Sequence, residues 1–225
     1  MAAWVGCLPG AVARPAGTTE RDPERTRGGD RPPGAAREIF TLSDEPEQVR
    51  ELTAGAAPET WVTVPTIDRE DEVAGQLAGL GFDVFDERKA LMTIALADQP
   101  DATPGPEYQV ELAEDNGVLR VQVLHRSGEV AARGMAAVIG EDVVMHDIHT
   151  DPEHRRRGLG TVVMAALGRR AIELGASTGL LMATYEGVQL YTRLGWLLRA
   201  TMVTGSGLGA TGSEGGDLRP VLASR

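Results

Sequence analysis

Between Asp147 and Thr161 the chain reads Asp-Ile-His-Thr-Asp-Pro-Glu-His-Arg-Arg-Arg-Gly-Leu-Gly-Thr. An apolar stretch ends there, three arginines follow, and two glycines open a segment of helical periodicity. Such a junction gathers free backbone N–H groups, the positive end of a helix dipole and guanidinium forks at one point, which makes an anion cradle suited to phosphate or pyrophosphate. Gly158 and Gly160 let a ligand approach the backbone with no Cβ in its path. Three familiar phosphate loops fail against these residues. A P-loop needs Gly-Lys-Ser/Thr and no Lys follows; the dinucleotide fingerprint needs a third Gly where Val163 stands; the glycine loop of kinases has no companion motifs here.

The cradle needs elements to hold it. Tyr108 to Leu112 and Leu119 to Leu124 both alternate, a Ser127-Gly128 turn leads into Val130 to Val138, and Val143 to Ile148 makes a fourth strand, so an antiparallel meander is predicted. Leu159, Val163, Ala166, Leu167, Ala171 and Leu174 share one face of a helix over 158–174, which Gly175 stops. A strand at 180–183, a helix over 186–194 stopped by Gly195, and a strand at 196–204 complete the order. This is an α+β mixed sheet, a meander followed by β-α-β-α-β, and not a doubly wound parallel fold. Upstream, the sequence predicts a helix from Ser43 to about Ala54, a strand at Trp61 to Pro65, a helix from Asp68 to Leu80 stopped by Gly81, and a strand at Leu91 to Leu96. Pro100 to Pro106 reads as a hinge.

The segment Arg155-Arg156-Arg157-Gly158-Leu159-Gly160, with Pro152 before it, resembles the cofactor motif of the GNAT superfamily of acyl-CoA-dependent N-acyltransferases. A second block of that family is similar to Leu190-Tyr191-Thr192-Arg193-Leu194-Gly195-Trp196. Both stand in the family's order with a predicted strand between them, and the resemblance covers roughly residues 107–204. It implies a GNAT-like fold and an N-acetyltransferase that uses acetyl-CoA as co-substrate and a small-molecule or peptide amine as acceptor. It implies that amides from Arg156 through Gly158 and Leu159 to Gly160 and Thr161, beside Arg155 and Arg157, hold the pyrophosphate. Backbone at Ile148, His149 and Thr150 would pair with the pantetheine arm where two strands splay apart, and Thr184 takes the position of an Asn that bonds that arm.

Direct attack of an amine on a thioester needs a base for the ammonium proton and an acid for the departing thiolate. By resemblance Tyr191 is the acid. Many relatives place a Glu on the fourth strand as base, but Val stands near that position here. His146 is the nearest side chain of suitable acidity, with Asp147 behind it. The family's fourth strand carries a bulge, so alternation leaves open which of the two faces the cleft. His125, His149 and His154 read as turn or loop residues without a catalytic assignment. A catalytically degenerate acyl-CoA-binding or sensor module is the alternative reading, since the Glu is missing.

The family's first two helices have no room between Leu112 and Leu119. Residues 39–104 are expected to close that side as a degenerate half of a second GNAT unit: strand, helix ending Leu80-Gly81-Phe82 and strand parallel the later strand, helix ending Leu194-Gly195-Trp196 and strand. Leu77 stands where Tyr191 would, and no Arg-x-x-Gly-x-Gly loop precedes it, so this half carries no catalytic side chain. The domain plan is then 1–38 disordered, 39–104 half domain, 105–205 acetyltransferase domain and 206–225 flexible tail.

Composition bounds the rest. The net charge is −11, and residues 39–106 hold 14 acids against 4 bases. That distribution disfavours nucleic acid as a partner. One Cys in 225 residues excludes an intrachain disulfide framework or a cysteine zinc site, four scattered His show no metal-ligand spacing, and a reducing, cytoplasmic setting fits. No apolar run is long enough to span a membrane, and the opening residues lack the charged and apolar regions of a signal peptide. A homodimer is the candidate assembly.

Overall fold

The computed structural model describes residues 37–207. Most of the two ends for which the sequence predicts disorder, 1–36 and 208–225, lies outside the described residues. In chain order the elements are β1 (Arg37–Phe40), α1 (Pro46–Thr53), β2 (Thr60–Thr66), α2 (Glu70–Gly79), β3 (Phe82–Val84), β4 (Lys89–Ala95), β5 (Tyr108–Asp115), β6 (Val118–His125), β7 (Val130–Ile139), β8 (Asp142–Thr150), α3 (Leu159–Glu173), β9 (Thr178–Ala183), α4 (Tyr185–Arg193) and β10 (Leu197–Gly207). Single 3-10 turns lie at Leu96–Asp98 and Pro152–His154. No helix among the described residues is long and apolar enough to cross a membrane.

The chain divides into two compact units, one running to Arg88 and resuming at Met202, the other spanning Lys89–Thr201. In the first, β1 pairs parallel to β2, and β3 pairs antiparallel to the end of β10 through Gly205↔Val84 and Gly207↔Phe82. Its core gathers Ile39, Val49, Val62, Val64, Val73, Leu77, Phe82 and Val203. The Thr63 and Thr204 hydroxyls, both buried, meet at 2.9 Å. Two edges of the sequence expectation are corrected here. Arg37 and Glu38, placed in the disordered segment, form β1 because Ile39 is buried beside β2. Ser206, placed in the tail, is buried in β10, and at Gly207 a Cβ would stand 2.7 Å from the Pro58 carbonyl oxygen.

The second unit holds the predicted meander. β5, β6, β7 and β8 pair antiparallel in sequence order, β9 lies parallel to β8, and β4 runs antiparallel to β9 from Ala90↔Ala183 to Ala95↔Thr178. β4, grouped by the sequence expectation with the half domain of 39–104, falls in the second unit, where all of Ala90–Ala95 pairs with β9. β5 and β6 are joined by Asn116 and Gly117, both left-handed at φ 50° and 77°, a two-residue hairpin turn that leaves no space for helices. α3 packs across this sheet with Leu159, Val163, Met164 and Leu167 fully buried, and Trp196 closes the same core. The Trp196 indole N–H donates to Gln99 Oε1 at 2.9 Å.

Candidate active site

β8 and β9 pair over only three positions, Asp142↔Thr178, Val143↔Gly179 and Val144↔Leu180, although β8 continues to Thr150 and β9 to Ala183. Beyond Val144 and Leu180 the two strands part, and the residues expected at the pantetheine arm, Ile148, His149 and Thr150, lie on the free stretch of β8.

The chain leaves β8 through the Pro152–His154 turn, where the Asp151 carboxylate accepts the Glu153 N–H at 2.9 Å. Arg155 folds back and its Nε donates to the Thr150 carbonyl at 3.3 Å. Arg156 and Gly158 then adopt left-handed backbone, φ 64° and 76°. The first bond of α3 is Val162 N–H to Gly158 O at 3.2 Å. The N–H groups of Arg156, Arg157, Gly158, Leu159, Gly160 and Thr161 find no acceptor among the described residues. Alternating left-handed residues at a helix start turn successive amides inward, and this is the geometry of an anion nest. At Gly160 a Cβ would meet Leu190 at 3.5 Å and Thr150 at 3.8 Å, so α3, α4 and the end of β8 converge at this point. The amides and the exposed Arg155, Arg156 and Arg157 fit the diphosphate of a CoA thioester in charge and donor geometry.

On α4, Tyr191 is 9% exposed and its ring lies 6.1 Å from that of Trp196. Burial pushes its hydroxyl up to about 12, so it stays protonated and able to donate. Thr184 is the N-cap of α4, its Oγ1 accepting the Gly187 N–H at 3.3 Å. The hydroxyl is thereby engaged in capping at the end of β9, just past the parted strands.

The position of His146 follows from an irregularity in β8. Met135 pairs with His146 and Arg133 with His149, so Gly134 alone faces Asp147 and Ile148. This is a β-bulge, and Asp147 takes the left-handed φ of 48°. Val143 and Met145 are in the core under α3, and strict alternation would send Asp147 there next. The bulge instead turns Ile148 toward α3, where a Cβ on Gly134 would stand 2.6 Å from Ile148 Cδ1 and 2.5 Å from Val163 Cγ1. His146 and Asp147 thus share the face away from α3. Arg133 on that face binds the Asp147 carboxylate twice, Nε at 2.9 Å and Nη2 at 3.4 Å. His146 Nδ1 is buried with no hydrogen-bond partner among the described residues, and burial holds the imidazole below its usual range; Asp147 opposes that shift and Lys89 adds to it. A neutral imidazole with an unused ring nitrogen can accept a proton.

The sequence expectation passed over His154 and Tyr108. His154 is buried, Tyr108 Oη lies 3.0 Å from its Nδ1, and the His125 ring packs 5.3 Å from the His154 ring. This cluster anchors the turn just before Arg155. An alternating strand with Tyr at its first position gave no signal of it. Among the described residues no group of three or more His, Cys, Asp or Glu is placed to hold a metal ion.

A mixed sheet with two parallel strands parting beside a helix start whose amides lack acceptors among the described residues defines the class of fold. The chain belongs to the acetyltransferase (GNAT) family, whose model matches residues 82–196, just over half its length, and it is accordingly an acyltransferase. That span takes in β3 and β4, upstream of the motifs on which the sequence resemblance rests. Among solved structures, a GCN5-related N-acetyltransferase from Kribbella flavida is similar with a TM-score of 0.58 at 18% identity, over 77% of this chain and 82% of that one. A GCN5-related N-acetyltransferase from Sphaerobacter thermophilus gives 0.50 at 13%, over 71% and 64%. A tandem GNAT protein from the clavulanic acid biosynthesis pathway gives 0.50 at 12%, over 75% and 69%. At these identities the likeness is one of fold. A search of curated proteins finds no match.

Proposed function

We propose that the protein is an N-acetyltransferase that moves an acetyl group from acetyl-CoA to the amine of a small molecule or peptide in a cytoplasmic setting. The observation that carries this reading is the run of six amides from Arg156 to Thr161 that have no acceptor among the described residues, at a turn where Arg156 and Gly158 are left-handed. A CoA thioester would lie with its diphosphate on those amides and its pantetheine arm along Ile148 to Thr150, and it supplies the activated acyl group. His146, neutral by burial, accepts the proton of the attacking amine at a ring nitrogen. Tyr191, kept protonated by burial, donates its hydroxyl proton to the departing sulfur. Thr184 stays with its capping role and supports the turn beside the arm.

The first unit is a non-catalytic half-repeat in this reading. Leu80 and Leu194 end their helices at nearly the same backbone angles, Gly81 and Gly195 follow at φ 87° and 88°, and the next residues, Phe82 and Trp196, are both buried. Leu77, fully buried, stands where α4 carries Tyr191. That one structural neighbour is a tandem GNAT protein supports the comparison.

The test is free-thiol release from acetyl-CoA with a panel of alkyl, aryl and peptide amines, alongside binding of desulfo-CoA and competition by ATP. Thiol release that depends on an amine is the expected result. Desulfo-CoA binding with no thiol release across the panel would leave an acyl-CoA sensor instead, and ATP displacing acetyl-CoA at equal concentration would make the cradle a general nucleotide site.

A further inference from the structure

The β8 bulge puts a non-glycine residue, Asp147, into left-handed backbone at φ 48° in the interior of a strand. Aspartate tolerates that region better than most residues, yet it is still a cost that surrounding structure must offset. Two neighbours bear on it. Gly134, opposite the bulge, has no room for a Cβ, so Ile148 can occupy the space under α3. Arg133, one residue earlier on β7, grips both oxygens of the Asp147 carboxylate, whose side chain is 14% exposed. If β8 lost the bulge, the pleat would carry Asp147 toward α3 and a carboxylate would enter an apolar core. We propose that Arg133 is a positioning residue for acyl transfer: its two-point grip on Asp147 fixes the bulge and so keeps His146 on the face away from α3. Arg133 acts through Asp147, which it binds at both carboxylate oxygens. The proposal rests on the reading of His146 as the base.

The test uses the full chain and four proteins: wild type, Arg133→Met, Asp147→Gly, and the double variant, with Arg133→Gln carried in parallel in case the methionine variant folds poorly. Glycine adopts left-handed backbone freely and leaves no carboxylate to hold, so it makes the grip unnecessary. The single Arg133 variants should lose about twofold to fivefold in kcat, fivefold being the largest population change that one partly exposed ion pair commands. Their KM for acetyl-CoA should move by less than about twofold. The double variant should recover to within about twofold of Asp147→Gly alone. Amide hydrogen exchange at Ile148 and His149 should quicken in the Arg133 variants and slow again in the double variant. Unchanged kcat in the Arg133 variants, unchanged exchange at these two amides, or a double variant that fails to recover would each overturn the proposal. If wild-type protein acetylates no amine, it is the assignment of His146 that fails, and the exchange arm still decides whether Arg133 holds the bulge.

Discussion

In the Gly160→Val variant the fold should persist while the cradle closes. A Cβ at position 160 meets Leu190 and Thr150 at ordinary contact distances of 3.5 and 3.8 Å, so a side chain can start there without a backbone shift. Gly160 lies in the first turn of α3, where valine is a slightly better helix former than glycine by a few tenths of a kcal/mol. The ligand-free melting temperature should therefore hold or rise by about 1 °C. Cofactor binding should go the other way. If the cradle holds the diphosphate as proposed, the valine methyls should crowd it and cost it at least two charge-assisted hydrogen bonds. At about 1.5–3 kcal/mol each, the loss is roughly 3–6 kcal/mol, or about 10²- to 10⁴-fold in Kd. Thermal melts with acetyl-CoA at about one hundred times the wild-type Kd read this directly. The wild type should gain about 2.7 kcal/mol, or about 5–10 °C, and the variant nothing measurable. A valine variant whose ligand-induced shift comes within 2 °C of wild type, a margin of about 1 kcal/mol or less, refutes the cradle.

Tyr191→Phe keeps the packing on Trp196 and deletes the hydroxyl, so kcat should fall about 10²-fold with little change in acetyl-CoA affinity; equal kcat would leave Tyr191 a packing residue. Because the native hydroxyl titrates near 12 and the unfolded one near 10, wild-type stability should decline as pH rises above about 10, and the phenylalanine variant should show a flatter alkaline limb in urea titrations. His146 is shifted the opposite way from a paired histidine: the unfolded chain takes up its proton first, so stability is lost as pH falls below about 6.5, and His146→Gln should lessen that acid loss while lowering kcat. Gly134→Ala should cost about 1–3 kcal/mol by overpacking Val163 and Ile148, read from the urea midpoint; an unshifted midpoint would mean that α3 yields easily there.

Much of the second unit was legible because its signals are local. Alternation marked β5 and β6, the Ser127-Gly128 turn led to β7, helical spacing marked α3, and the Arg-Arg-Arg-Gly-Leu-Gly run announced the start of that helix. What escaped the sequence depends on partners distant in the chain. β1 and β3 are four and three residues long, too short for a period to show, and exist because β2 and β10 offer them edges. β4 was visible as a strand, but its pairing with β9 is a contact across some ninety residues that no local pattern records. At the site, the pair His146-Asp147 was readable and its facing was not. The facing is set by a one-residue surplus on β8 against Gly134 of β7, together with the Arg133 grip, and neither residue carries a motif. Tyr108 and His154 are hidden for the same reason, being 46 residues apart in the chain.

The first unit is interrupted: its core residue Val203 and the partner of the Thr63 hydroxyl arrive only with the end of β10. During synthesis, residues up to Arg88 leave the ribosome well before Met202, a delay on the order of ten seconds at ordinary elongation rates. Through that interval Val62 and Val64 have no Val203 to pack on and β3 has no strand to pair with, so this part of the nascent chain waits with an incomplete core while residues 89–201 are made. A chain stopped anywhere short of 202 would consequently leave the earlier-made unit without Val203 and Thr204, so a late truncation would be felt more than a hundred residues upstream.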